Sequence, residues 1–102
     1  MGTMRYGASG MEAQFDDRLL AHMKTVIVAK LRREEKFTLS YTKDPGEGGR
    51  STIWLHPAIE LAFDFDDDTR PALNRAWIDE LMRSANSNDG MSVIDEPVVL
   101  AR

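Results

Sequence analysis

The sequence predicts an α+β fold: a two-layer sandwich in which a mostly antiparallel sheet carries two helices on one face, in the order β-β-α-β-β-α-β. Three observations predict it. Leu19, Leu20, Met23, Val26, Ile27 and Leu31, and later Leu73, Trp77, Ile78, Leu81, Met82 and Ala85, recur at the three-and-four spacing of a single helical stripe. Phe37, Leu39 and Tyr41, and again Ile59, Leu61, Phe63 and Phe65, alternate with smaller or polar neighbours at the period of a half-buried strand. The connections between these stretches are short and turn-rich, which favours hairpin pairing over long parallel crossovers.

The elements follow in order. Thr3-Met4-Arg5-Tyr6 and Met11-Glu12-Ala13-Gln14-Phe15 are short strands around the turn Gly7-Ala8-Ser9-Gly10, a hairpin. Asp16 and Asp17 supply a capping oxygen and negative charge at the start of a helix expected over about residues 17–33. A strand over residues 37–42 ends at Lys43-Asp44-Pro45-Gly46-Glu47-Gly48-Gly49-Arg50, because proline lacks a ladder donor and glycines favour turns. The chain returns as a strand from Ser51 to His56, is interrupted at His56-Pro57, and continues its alternation to Phe65, with Pro57 marking an edge, bulge or corner. The second helix is expected from near Thr69, with Pro71 in its first turn, where a missing N–H costs nothing. It dissolves over residues 84–90. Met91 to Ile94 reads as a last short strand, and residues 95–102 as a loose tail.

A chain of 102 residues fits one domain, residues 1–102. With 42% hydrophobic and 29% charged residues it has the material for a core, and a disordered chain is excluded. No apolar run approaches the roughly 20 residues of a helical membrane span, no membrane association is expected, and the cytoplasm is the expected compartment. The absence of cysteine removes disulfides, thiolate nucleophiles and cysteine-based zinc sites. A net charge of -4 argues against wholesale coating of nucleic acid, whose non-specific affinity comes from Lys and Arg neutralising phosphates.

The sequence holds few candidates for chemistry, and each has a structural reading beside it. Residues 18–36 carry six basic side chains against two acidic ones, and Arg18, His22, Thr25, Arg32, Arg33 and Lys36 project opposite the apolar stripe. Such a face could touch phosphates, although a charged outer face is also what any surface helix shows. Lys30 projects onto the apolar stripe itself, where snorkelling at the edge is expected and an interface role is the alternative. Asp64, Asp66 and Asp68 have the spacing that opens a calcium loop, but the glycine and glutamate that loop requires are here Thr69 and Arg75, so the run reads as a helix-initiating acidic turn. The glycine-rich segment lacks the Gly-Lys-Ser/Thr ending of a phosphate loop and joins two strands, leaving Arg50 as its one anion contact. His22 and His56 form no constellation with a nucleophile or a metal, so no catalytic residue, metal or cofactor is expected. Asn74 projects on the apolar side of the second helix, where its amide needs partners in a neighbouring backbone.

Trp54 is the most informative position. Alternation puts Phe37, Leu39, Tyr41, Ile53 and Leu55 under the helices and Trp54 on the opposite face with Thr38, Ser40, Thr42, Thr52 and His56. A large aromatic on a polar sheet surface is the composition of a docking site for a partner or a second copy. Shielding by Val98-Val99-Leu100 is the structural alternative.

Several segments carry a resemblance: Met4-Arg5-Tyr6-Gly7, residues 15–22, residues 26–33, Ile53-Trp54-Leu55-His56-Pro57-Ala58-Ile59, and residues 73–78 through Ser84-Ala85-Asn86-Ser87. Together they make the chain similar to a family of short uncharacterised actinobacterial proteins, many of which carry the label "ATP-dependent DNA ligase". The resemblance implies no established activity. Ligases of that kind take the adenylate on the lysine of a Lys-x-Asp-Gly motif, and here the one Asp-Gly pair, Asp89-Gly90, has Ser87 in the lysine's place. The expectation is therefore a non-enzymatic interaction module, with a protein partner or a homodimer at Trp54, His56, Thr52, Thr38 and Ser40. The alternative is an accessory protein of DNA metabolism binding nucleic acid weakly through Arg18, Arg32, Arg33, Lys36 and Arg50.

Overall fold

A computed structural model describes residues 1–43 and 46–98. The expectations resting on Asp44, Pro45 and residues 99–102, including the shielding role of Val99 and Leu100, lie outside the described residues. The strands are β1 (Gly2–Tyr6), β2 (Met11–Phe15), β3 (Phe37–Thr42), β4 (Arg50–Leu55), β5 (Leu61–Asp64) and β6 (Met91–Ser92), and the helices are α1 (Asp17–Arg32) and α2 (Arg75–Ala85). The α+β class and the expected layout hold, with the stretch expected as the fourth strand and its continuation divided into β4 and β5.

The strands divide between two three-stranded sheets, β2-β1-β5 and β4-β3-β6. The division falls at the corner the sequence marked with Pro57. Ile59 N–H donates to the His56 carbonyl and Ala58 N–H to His56 Nδ1, closing a turn that carries the chain from β4 in one sheet to β5 in the other. The stretch from Ser51 to Phe65 is thus two strands that share a parity but not a ladder. All pairings are antiparallel except β3 with β6, which meet at Leu39↔Met91 and Ser40↔Ser92. The inner faces of both sheets meet α1 and α2 in one core that includes Met4, Phe15, Leu20, Met23, Ile27, Leu39, Leu55, Trp77, Leu81 and Met91. Each fully buried Leu, Ile or Met stabilises the fold by about 1.5–3 kcal/mol.

Helix α1 begins where the sequence places it, with the Asp16 carboxylate accepting from Arg18 and Leu19 N–H at 3.1 and 3.4 Å. Helix α2 does not. It starts at Arg75, not near Thr69, because Pro71 pushes Arg70 toward extended backbone and Asn74 is a better cap, its Oδ1 accepting Trp77 N–H at 3.3 Å. Leu73, assigned to the apolar face of that helix, therefore lies before it and is half-exposed. No helix among the described residues is long and apolar enough to cross a membrane.

The return from α2 to β6 depends on one residue. Gly90 has φ +83°, and a Cβ there would overlap Thr38 Oγ1 and lie 2.9 Å from the Thr38 carbonyl. Gly90→Ala is expected to destabilise the protein by about 2 kcal/mol or more, combining left-handed strain with overpacking against β3. Urea unfolding of the two proteins checks this.

Candidate functional site

The β3–β4 ladder pairs Thr38 with Trp54, Ser40 with Thr52 and Thr42 with Arg50, interleaved with Phe37↔Leu55, Leu39↔Ile53 and Tyr41↔Ser51. Strand parity then separates two faces. Phe37, Leu39, Ile53 and Leu55 are buried, whereas the Trp54 side points outward and is 53% exposed. Beside it Ser40 Oγ and Thr52 Oγ1 share a hydrogen bond of 2.9 Å, so the face is polar but internally paired. Val98 is itself 85% exposed and so is not pressed onto the indole. His56 stands at the end of β4, half-buried, with Nδ1 occupied by Ala58 N–H at 3.0 Å.

Trp54, Lys36 and Thr38 line one side of an open groove of about 440 Å³, and the end of α2 with the turn Asn86–Gly90 lines the other. Lys30 forms part of its lining. Its side chain is only 6% exposed, and its ammonium donates to Glu35 Oε1 at 2.9 Å and to Asn86 Oδ1 and lies 5.2 Å from the centre of the Phe37 ring. The expected snorkelling is thus corrected: the charge is held inside, where carboxylate, amide and ring replace water. The hydrogen bond from Lys30 holds the Glu35 carboxyl below its ordinary range. A buried lysine tolerates this position only with such partners.

At the other end of the helix pair lies a cluster that pattern reading missed. His22, expected on the polar face, is fully buried. Its Nδ1 is 2.7 Å from the Arg18 carbonyl and its Nε2 2.8 Å from the Asn74 N–H. Because the Asn74 N–H can only donate, Nε2 accepts and Nδ1 carries the proton. The ring packs at 4.4 Å on Trp77, whose Nε1 donates to the Ile94 carbonyl at 2.8 Å. Asn74 Nδ2 donates to Glu96 Oε2 and the Pro97 carbonyl at 3.0 and 3.1 Å. Arg18 closes the cluster, with Nε and Nη2 on the two Glu96 oxygens at 2.9 and 2.8 Å and Nη1 on the Ala72 carbonyl at 3.0 Å. Residues 95–97, read as the start of a loose tail, are thereby fastened to both helices. The expected backbone partners of the Asn74 amide are present, but it meets them as a cap rather than from the side of the helix. The available signal was an asparagine three residues before the first buried aromatic of α2.

The sequence-derived cations are not gathered into one patch. Arg18 spends its guanidinium on Glu96 and Ala72 and sits 14 residues, about 20 Å, along α1 from Arg32. Arg32 ends the helix and, with Arg33 and Lys36 beyond it, is exposed at the other end, and Arg50 is exposed at the start of β4. Nor do Asn74, His56 and Trp54 converge: Asn74 caps the first turn of α2, while the groove beside Trp54 is lined by the residues that end it.

These features define a small α+β domain whose polar networks are internally satisfied and whose most prominent outward group is a tryptophan on a polar sheet face. The chain belongs to the family described as Domain of unknown function (DUF7882), whose model matches residues 1–96. No curated protein and no solved structure matches it.

The Arg18–Glu96 contact makes stability pH-dependent. Hydrogen bonds from Arg18 first and Asn74 second lower the Glu96 carboxyl from 4.5 to about 2. A carboxylate depressed on folding stabilises the native state above its unfolded value, and that contribution is lost as the pH falls through the folded one. The stability difference between wild type and Glu96→Gln should be full at neutral pH and shrink between about 4.5 and about 2. Denaturant titrations of both proteins across that range measure it.

Proposed function

We propose that this domain is a non-catalytic protein-interaction module that docks through the outer face of β3 and β4, centred on Trp54. One observation carries the reading: an indole 53% exposed on the outer side of the ladder among Thr38, Ser40 and Thr52, where core formation asks for no large apolar side chain. Aromatic side chains are the groups that interfaces concentrate at their centre and surround with polar neighbours. The adjoining groove supplies a concave surface with Lys36, Thr38 and the Asn86–Gly90 turn, so a partner can seat a side chain beside the indole.

An accessory role beside nucleic acid, suggested by the ligase label of the actinobacterial proteins the chain resembles, is the second reading. Lys36 in the groove favours it, and the engagement of Arg18 by Glu96 weakens it. It requires binding that falls steeply with salt.

The experiment is affinity capture from cells that make the protein, with wild type, Trp54→Ala and Val98→Ala as baits and an untagged copy of the chain included. Wild type and Val98→Ala should retain the same set of proteins, and Trp54→Ala should lose it while changing folding stability by no more than about 0.5 kcal/mol. Identical retention by Trp54→Ala overturns the reading.

A further inference from the structure

We infer that the partner that reaches Trp54 is a second copy of the chain, met along the margin of this face and joined edge to edge through β4 in an antiparallel register centred on Thr52. The inference rests on the reading of Trp54 as the centre of a docking surface and adds the occupant and the geometry.

Three observations support it. First, among the described residues β4 pairs with β3 alone and is an edge strand of its sheet. The hydrogen bond from Lys43 N–H to the Gly49 carbonyl at 3.0 Å continues the ladder beyond the strand ends and sets its phase. In that phase the ladder bonds of β4 fall on Ser51, Ile53 and Leu55, and Arg50, Thr52 and Trp54 turn their N–H and C=O groups away from β3. The Trp54 carbonyl agrees with that direction, since it accepts from the Tyr6 hydroxyl of the other sheet. Second, this edge is only lightly blunted: among Arg50 to Leu55 there is no proline, no lysine and no inward-pointing charge, and its single charge, Arg50, stands at the strand's end. Third, the edge is self-complementary. A twofold axis at Thr52 sets Thr52 opposite its own copy and Arg50 opposite Trp54 of the second chain, twice over. The three residues are exposed on one face, so each guanidinium comes beside an indole at cross-strand distance, a charge-to-ring pairing that an unrelated strand would have to supply by chance. A carbonyl has two lone pairs, so Trp54 can keep Tyr6 and still accept from the facing strand.

The pairing is only about five residues long, so it is expected to be concentration-dependent and at the weak end of specific association. Sedimentation equilibrium on the full chain should show reversible conversion from 11.5 kDa to twice that mass. Arg50→Glu should weaken the association at least tenfold. The register has its own test, because the natural chain has no cysteine. Facing residues of a hydrogen-bonded antiparallel pair have Cα atoms about 5.5 Å apart, within disulfide range. The two copies of residue 50 would lie four residues out of step, about 13 Å along the strands and about 14 Å apart in all. Under copper-phenanthroline oxidation, Thr52→Cys should form a covalent dimer much faster than Arg50→Cys, both substitutions being at exposed positions.

A wild-type chain that stays monomeric at every concentration to the millimolar range, or equal cross-linking of the two cysteine variants, overturns the inference. If the chain is monomeric but Trp54-dependent capture of another protein persists, the pairing fails and the docking face stands. If that capture is also insensitive to Trp54, both fall.

Discussion

The ladder between β3 and β4 has a fixed parity, and most of the molecule's surface chemistry follows from it. Phe37, Leu39, Ile53 and Leu55 must face the helices because they supply, with Met91 of β6, the buried apolar side chains by which this sheet closes the core beneath α1 and α2. Slipping β4 by one residue would bury Thr52 and Trp54 and expose Ile53 and Leu55, and slipping β3 would bury Thr38 and Ser40 and expose Phe37 and Leu39, either at a cost of several kcal/mol for the apolar burial alone. The outward position of the indole is therefore a consequence of core formation. Its retention on the surface is what asks for a functional explanation.

The second constraint is that two helices of unequal length must be tied at both ends without disulfides. Lys30 does this at one end by reaching Glu35 and Asn86, and Arg18, His22 and Asn74 do it at the other through Glu96 and the backbone of Ala72 and Pro97. Both ties are polar, and each is completed by residues far apart in the chain. Removing one member leaves the others buried or half-buried without partners, which is why such groups act as locks on a single arrangement of the helices.

This distribution explains what was legible in the sequence. Periodicity reports burial along one element, so the order of residues alone carries the core stripe of α1, the alternation of β3 and β4 and the outward Trp54. It does not report what packs across an element's flank. His22 lies beside the α1 stripe, opposite the start of α2, and the positions of Asn74 and Trp77 make that flank interior. The division into two sheets was hidden because the residues of β4 and β5 keep one parity through the Pro57 corner, so the pattern looks continuous where the ladder is not. The late start of α2 turned on a competition between Thr69 and Asn74 as caps, which the backbone bond from Asn74 to His22 decides from outside the helix.

The opposite margin of the β4-β3-β6 sheet is a stub of two residues, Met91 and Ser92, wedged against Thr38 by a glycine that admits no side chain. That margin offers an incoming strand almost no template, so this sheet can be lengthened in one direction only. Copies that meet head-on at the longer margin exhaust what each can contribute there, and the product through this sheet is a finite pair with no route to a growing fibre.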